Sequence, residues 1–492
     1  MNILEELDTA ALISSKDFHD QLINYLSENP PPLRHHKVVV DLFDLMSTWI
    51  KYTSIDIDIL DLLEPLEQYS KSQYLTLVGL VKFIANDIPS ATDLVKDAIL
   101  LDNFYAPANN LLNDIEGLGE HDSQIQNEYI CGLPFTEMQL KTINSEDTMT
   151  FCCLQWSPYV MGSIKSKSHE DVWNGDGAKE FRKSILEGTF KYCNKRICSI
   201  FNNPKHNMIP RNTINRPEDN YISNPRMASR LRKASNLLAE QLRSPQPTHV
   251  DRPRHIFIAY DEGCNLACPS CRTQIKKISS DKKNDMDDLF ERVVRPLLTS
   301  GPTLLTASGH GDPLGSTHLR DKLSTLNGIQ YKDLRINLQT NGLLLNSNGW
   351  QTILPISSNL EDVRISIDAA TKDTYEVVRF PGIWDDLMNS LKFTVAKRNE
   401  LNFRVVINFC IQDFNFREIQ LFAELGNSLN VDRINFQQLV NWGTYSADDY
   451  KQRNVVDPMH PNHREFKELL VSTVSQYSNI QLSSSLPRLL RT

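Results

Sequence analysis

From residue 251 to about 440 the sequence predicts an α/β fold built on a parallel sheet. Six short runs rich in β-branched and aromatic residues recur there, at 255–260, 303–307, 334–339, 362–367, 404–411 and 433–439, each of strand length and bounded by turn-forming residues. Segments with helical periodicity lie between them, for instance 287–298, 319–326 and 416–429. Strands that alternate with helices are the pattern of a parallel sheet wound with crossover helices. Polar and glycine-containing runs follow the strands, at the carboxyl ends where such folds carry their chemistry.

The first 250 residues read differently. Residues 1 to about 125 predict helices, because apolar residues recur at helical spacing through Phe18, Leu22, Ile23 and Leu26 and through Val39, Leu42, Phe43 and Met46. The stretch 91–108 sets Ala91 and Ala98 seven residues apart before a turn and a second helix, and resembles half of a tetratricopeptide (TPR) unit. A TPR-like helical-repeat domain and a plain helical bundle both fit. Residues 126–200 hold five cysteines and little periodicity, and 201–250 read as a linker rich in Asn, Pro and Arg around one expected helix at 227–242. Residues 441–492 are expected to cap the sheet. There Trp442 and Tyr445 suit either a pocket lining or lid packing, and His460 and His463 are expected at the surface.

Composition bounds the function. The 492 residues suffice for two or three domains, and a hydrophobic share of 40% is that of an ordinary globular protein. No run approaches the ~18 apolar residues of a membrane span, and the start Met-Asn-Ile-Leu-Glu-Glu lacks the basic and apolar regions of a signal peptide. A formal charge of −9 argues against a general nucleic-acid binder. Nine cysteines are too few for a secreted disulfide scaffold, and eight of them fall between Cys131 and Cys271. In a cytosolic chain such clustering reads as metal binding. The expectation is a cytoplasmic metalloprotein with no nucleic-acid or membrane partner.

The first strand runs into Cys264-Asn-Leu-Ala-Cys268-Pro-Ser-Cys271, a C-x3-C-x2-C spacing. Three such thiolates can hold a [4Fe–4S] cluster by three of its irons and leave the fourth open. An open position is what catalysis requires and a structural site does not. A zinc ribbon would show two paired C-x2-C knuckles, and no further Cys or His follows Cys271 before His310.

This run, with the strand-end motifs after it, resembles the radical S-adenosylmethionine (SAM) superfamily. The resemblance implies a partial (β/α)6 TIM-like barrel in which the amino and carboxylate groups of SAM chelate the open iron. An electron from the cluster then cleaves SAM to methionine and a 5′-deoxyadenosyl radical, which takes a hydrogen atom from the substrate. Ser308-Gly309-His310-Gly311-Asp312-Pro313 is similar to the family's Gly-Gly-Glu-Pro run, which binds the SAM amino group. Its glycines would let the backbone approach the ligand closely, and Asp312 keeps an acceptor of shorter reach. The resemblance further implies SAM contacts for Thr340 and Asn341 in Gln339-Thr-Asn-Gly342 and for Arg379 in Tyr375-Glu-Val-Val-Arg379-Phe-Pro-Gly382. Ser366 and Asp368 alternate with Ile365 and Ile367 and are expected to face the ribose together, and Gln437 ends the sixth strand as a SAM or substrate contact. Arg272 suits a carboxylate partner or a surface charge, and Asn265 a bond to its own backbone. Two departures stand out: Ser270 replaces the family's aromatic residue, and Asn408-Phe-Cys410-Ile lacks the glycines of the adenine motif. Cys410 is expected to be an ordinary buried thiol.

Upstream, Gly162-Ser-Ile, His169-Glu-Asp-Val-Trp173, Glu180-Phe-Arg182, Gly188 and the pair Cys193 and Cys198 resemble the SPASM or twitch module. That module binds auxiliary [4Fe–4S] clusters in radical SAM enzymes that act largely on peptides. It implies one auxiliary cluster held by Cys131, Cys193, Cys198 and either Cys152 or Cys153, with a zinc site on the same residues left open. Here the module precedes the barrel rather than following it, and carries five cysteines rather than seven.

The expected function is a radical SAM enzyme, an oxidoreductase, that oxidatively modifies a substrate by hydrogen-atom abstraction. The substrate is a peptide or protein presented by the helical domain, or a sugar, nucleotide or other small molecule with that domain docking a partner protein. Either needs an electron donor such as flavodoxin or ferredoxin. A different class, a non-catalytic iron–sulfur electron carrier or scaffold, would form no 5′-deoxyadenosine.

Overall fold

A computed structural model of the chain describes residues 70–102, 105–143, 146–165, 167–213, 244–307, 310–483 and 485–491, with Glu67 and Gln241 besides. The helices expected before residue 67 and at 227–242 lie outside the described residues. The described chain divides into two compact units, each assembled from three separate stretches. Strands are numbered β1 to β12 in chain order.

The described residues of the first unit fall within 70–132, Cys152–Val160 and 179–213, with Glu67 and Gln241. Its first part is four helices, Lys71–Ile84, Ile88–Leu101, Ala106–Ile115 and Gly119–Glu128. The Ser70 and Asp87 side chains accept from the backbone N–H of Gln73 and Ser90 and so cap the first two. Ala91, Val95 and Ala98 are fully buried. A Cβ on Gly79 would lie 2.6 Å from Val95 Cγ2, so the first two helices touch where only glycine fits. Within 91–108 one helix ends at Leu101 and another begins at Ala106. β1 (Tyr129–Ile130) pairs antiparallel with β5 (Ile209–Pro210). Arg211 then donates to the carbonyls of Gln126, Ile185 and Leu186 and locks three segments together. Tyr159, Phe181 and Tyr192 stack into an aromatic core, Tyr159 and Tyr192 with ring centroids 4.2 Å apart.

The second unit comprises Leu133–Phe151, Met161–Ala178 and the residues from 244 onward. It holds β2 (Glu137–Ile143), β3 (Glu146–Thr150), β4 (Gly162–Ser163), β6 (His255–Ile258), β7 (Thr303–Ala307), β8 (Leu334–Thr340), β9 (Leu360–Ser366), β10 (Arg404–Ile411), β11 (Arg433–Gln438) and β12 (Ile480–Leu482). These form one sheet in the order β12-β11-β10-β9-β8-β7-β6-β2-β3-β4. Every pair from β12 to β2 is parallel, and the β2–β3–β4 edge is antiparallel. The six expected strands are β6 to β11, side by side and in chain order. The fold is thus α/β with a large, mostly parallel sheet.

Two additions lie outside the sequence reading. The β2–β3 hairpin extends the sheet beyond β6, although 126–200 reads as an irregular cysteine module, and β12 adds a parallel strand from the expected C-terminal cap. The apolar residues Ile256, Leu305, Ile336, Val363, Ile407 and Phe436 are fully buried along the sheet. The other face of β2, β6, β7 and β8 carries a chain of polar contacts. Glu137 Oε2 meets His255 Nδ1 at 2.7 Å, His255 Nε2 meets Thr306 Oγ1 at 2.8 Å, and Asn337 Nδ2 donates to the same hydroxyl.

Candidate iron–sulfur and cofactor sites

The cysteine loop leaves β6 and is pinned by its backbone. Cys264 N–H donates to Lys276 O (3.0 Å), Ala267 N–H to Phe380 O (2.8 Å), and Cys271 and Arg272 N–H to Cys268 O. Each of the three sulfurs then has an N–H aimed at it: Leu266 N lies 3.4 Å from Cys264 Sγ, Arg379 Nη1 3.7 Å from Cys268 Sγ, and Arg272 Nη2 3.4 Å from Cys271 Sγ. Donors on sulfur suit thiolates that ligate a cluster. Burial, with Asp312 nearby, pushes the Cys264 thiol up to about 11. Ligation therefore has to displace a proton there.

The loop after β7 is built to meet this one. Gly309 lies outside the described residues. At Gly311 a Cβ would stand 2.3 Å from Gly263 O, so the glycine allows this loop to approach the cysteine loop closely. Asp312 N–H donates to the same carbonyl (2.8 Å). The buried Asp312 carboxylate accepts from four protein donors: Leu314 and Gly315 N–H on Oδ1, and Thr340 Oγ1 and Asn341 N–H (both 2.7 Å) on Oδ2. Burial raises its pKa against those bonds. Pro313 is buried beside it. Asn341 Nδ2 donates to Asn265 Oδ1 (2.8 Å), so Asn265 is used across loops rather than on its own backbone. Arg272 is neither a free surface charge nor an open carboxylate partner, since its guanidinium donates to the carbonyls of Glu262 and His310.

After β9, alternation stops. Ser366 is the last strand residue, Ile367 and Asp368 N–H both donate to Asn408 O, and Asp368 has φ +61°. The Asp368 side chain is therefore placed by a left-handed turn, not by strand alternation with Ser366. Its Oδ1 accepts from Cys410 N–H (2.7 Å) and its Oδ2 pairs with Arg379 Nη2 (2.7 Å). Burial alone would lower the Arg379 pKa, but Asp368 and Cys268 outweigh it and raise it. Arg379 Nε and Tyr375 Oη are buried with no protein partner among the described residues.

Cys410 is half-buried, and burial followed by Asp368 pushes its thiol up; Arg379 and Cys271 also act on it. It thus stands at the rim of this site rather than deep in the core. Gln437 is its register partner on β11. The His310 ring meets Trp442 edge-on at 6.0 Å, and burial pulls its pKa down to about 4. His460 is buried, not superficial, and meets Gln452 O at 2.8 Å, while His463 meets Val455 O.

The five upstream cysteines all belong to the first unit: Cys131 after β1, Cys152 and Cys153 in one turn, and Cys193 and Cys198 in a knuckle. Cys152 is buried, and burial followed by Cys193, Cys198, Cys131 and Cys153 pushes its thiol well up. Cys193 is raised by burial and then by Cys198 and Cys131. Among the described residues no three His, Cys, Asp or Glu side chains stand close enough to hold a single metal ion. In a four-iron cube each thiolate takes a different iron.

Residues 131–199 match the SPASM family, an iron–sulfur cluster-binding domain. The match takes in Cys131, Cys152, Cys153, Cys193 and Cys198. No curated protein matches the sequence. Among solved structures it is similar to SuiB of Streptococcus suis bound to S-adenosylmethionine, at 14% identity and a TM-score of 0.37 over 62% of this chain and 61% of that one. SuiB bound to the precursor peptide SuiA follows at 13% and 0.35 over 65% and 66%, and anSMEcpe with bound AdoMet at 17% and 0.32 over 46% and 58%. The chain thus spans between 58% and 66% of the length of these three proteins. No helix among the described residues is long and apolar enough to cross a membrane.

Proposed function

We propose that this chain is a radical SAM enzyme that oxidatively modifies a peptide or protein by hydrogen-atom abstraction in the cytoplasm, drawing electrons from a flavodoxin- or ferredoxin-like donor. The observation that carries the reading is the cysteine loop, whose three sulfurs each have an N–H aimed at them and whose backbone is bonded to the β7 loop. SAM bound there supplies a carbon-centred radical strong enough to break an unactivated C–H bond.

The protein's own groups have definable parts. Cys264, Cys268 and Cys271 hold the cluster. Asp312 positions Thr340 and Asn341, and Asn341 in turn holds Asn265. Arg379 is the candidate for the SAM carboxylate, which its unpartnered Nε supports, and the buried Tyr375 hydroxyl lies beside it. Gly309, Gly311, Pro313, Ser366, Asp368 and Gln437 complete the proposed SAM surround. Cys152 is favoured over Cys153 as the fourth auxiliary ligand, since it is the buried one and feels Cys131, Cys193 and Cys198. The SPASM module supports a peptide or protein substrate and a net oxidation, with the auxiliary cluster taking the second electron. The N-terminal helices are the proposed docking element for substrate or partner.

The test is anaerobic reconstitution with iron and sulfide, followed by SAM and dithionite. The expected products are 5′-deoxyadenosine and methionine, lost when any of Cys264, Cys268 and Cys271 becomes Ala. A fully loaded protein that forms neither would instead be an electron carrier.

A further inference from the structure

Three asparagines meet at the knuckle of Cys193 and Cys198, and they are used unequally. Asn110 donates from Nδ2 to Cys193 O (3.0 Å) and accepts on Oδ1 from Lys195 N–H (2.9 Å). Asn202 donates from Nδ2 to Arg196 O and Cys198 O (both 2.9 Å). Both carboxamides are spent on the knuckle's backbone. Asn194, between the two cysteines, is fully buried, yet neither its Nδ2 nor its Oδ1 has a hydrogen-bond partner among the described residues.

Burying a carboxamide with nothing to bond is costly, and a site that keeps one is built around a group the polypeptide does not supply. The position of Asn194 says which. Its N–H donates to Trp156 O (2.7 Å), in the turn that carries Cys152 and Cys153, and its carbonyl accepts from Cys198 N–H (3.1 Å). Asn194 is therefore stitched to both cysteine-bearing turns that converge on the auxiliary site.

We propose that the Asn194 carboxamide donates a hydrogen bond to a sulfur of the auxiliary cluster held by Cys131, Cys152, Cys193 and Cys198, and so raises the reduction potential of that cluster. The proposal rests on the reading of this site as an iron–sulfur cluster. A hydrogen bond to sulfur withdraws negative charge and favours the more negative, reduced state. Asn194 is thus a tuning residue that acts through the cluster, and it touches no substrate.

The test uses the full chain with Cys264, Cys268 and Cys271 all replaced by Ala, so that only the auxiliary cluster loads. Asn194→Leu removes donor and acceptor at similar volume, and Asn194→Asp keeps the shape but removes the donor. At equal iron content both are expected to titrate at more negative potential by EPR. For Asn194→Leu the ratio of reduced to oxidised cluster at fixed potential should fall roughly tenfold, which is 59 mV for a one-electron couple. The parent should also show an exchangeable proton coupled to the cluster spin in pulsed EPR, absent from both variants. Unchanged potentials would overturn the proposal and assign the carboxamide to a buried water. If Asn194→Leu fails to load iron, Asn194→Asp and the exchangeable proton decide in its place. A parent that takes up no iron would overturn the auxiliary-cluster reading and the proposal with it.

Discussion

Asp312 shows what a single side chain does in this site. Its two oxygens take four hydrogen bonds, from the β7 loop itself and from the end of β8, which is the full accepting capacity of a carboxylate. Asp312→Asn places an NH2 where an N–H or hydroxyl already donates. Its expected effect is a loss of SAM affinity of roughly 10–100-fold, the usual scale for a residue that orients ligands from behind, with iron content unchanged; equilibrium binding to the reconstituted protein checks it. The motif was legible in the sequence, but its wiring was not. Spacing identifies Gly311 and Asp312 as a strand-end loop, and only the folded chain shows that Gly311 is small because Gly263 O lies against it. Asp368 is similar: two-residue alternation holds as long as the strand does, and the strand ends at Ser366. Asn194 gave no signal, because an unpartnered carboxamide is a property of surroundings.

At the scale of elements, the six central strands were legible because they are β-branched runs separated by helices. The β2 strand was not, although Glu137-Met-Gln-Leu-Lys-Thr-Ile143 alternates. Its polar residues Glu137, Gln139 and Lys141 are buried with the apolar ones, and a reading by alternation assigns such residues to solvent. The Glu137–His255 contact holds this strand to β6. His255→Ala leaves the buried Glu137 carboxylate with Gln139 Nε2 as its donor, and the expected cost is about 1–3 kcal/mol, read as a lower urea midpoint at unchanged slope. A second element-scale prediction concerns the helix Ser280–Leu289 and the π-helical turn that follows it. Burial pushes the Asp287 carboxyl up, but Lys283 and His318 outweigh it and hold it at about 2. Its folded pKa lies below the unfolded value, so its contribution is complete above about pH 4 and is lost as pH falls toward 2. Asp287→Asn is therefore expected to destabilise the apo-protein by roughly 1–2 kcal/mol at pH 6, with the gap closing as the denaturation midpoints are followed toward pH 2.

For the whole molecule, the cysteines sort by unit: the triplet in one, all five upstream residues in the other. Two clusters imply about eight irons per chain, and about four once the triplet is replaced by Ala; iron and sulfide analysis decides between these and a single site. The sequence could place the two cysteine groups but not this partition, because residues 126–200 are shared between units in alternating stretches. The hairpin inside that region has a practical consequence. It is what lies along the open side of β6, so a shortened chain beginning at residue 251 would keep every SAM motif and yet present a bare row of unpaired amides and carbonyls. Such a border invites another copy to add its own strand. The excised fragment is expected to precipitate or form sheet-linked oligomers on gel filtration, and a design that restores Leu133–Phe151 at its start should remain dispersed.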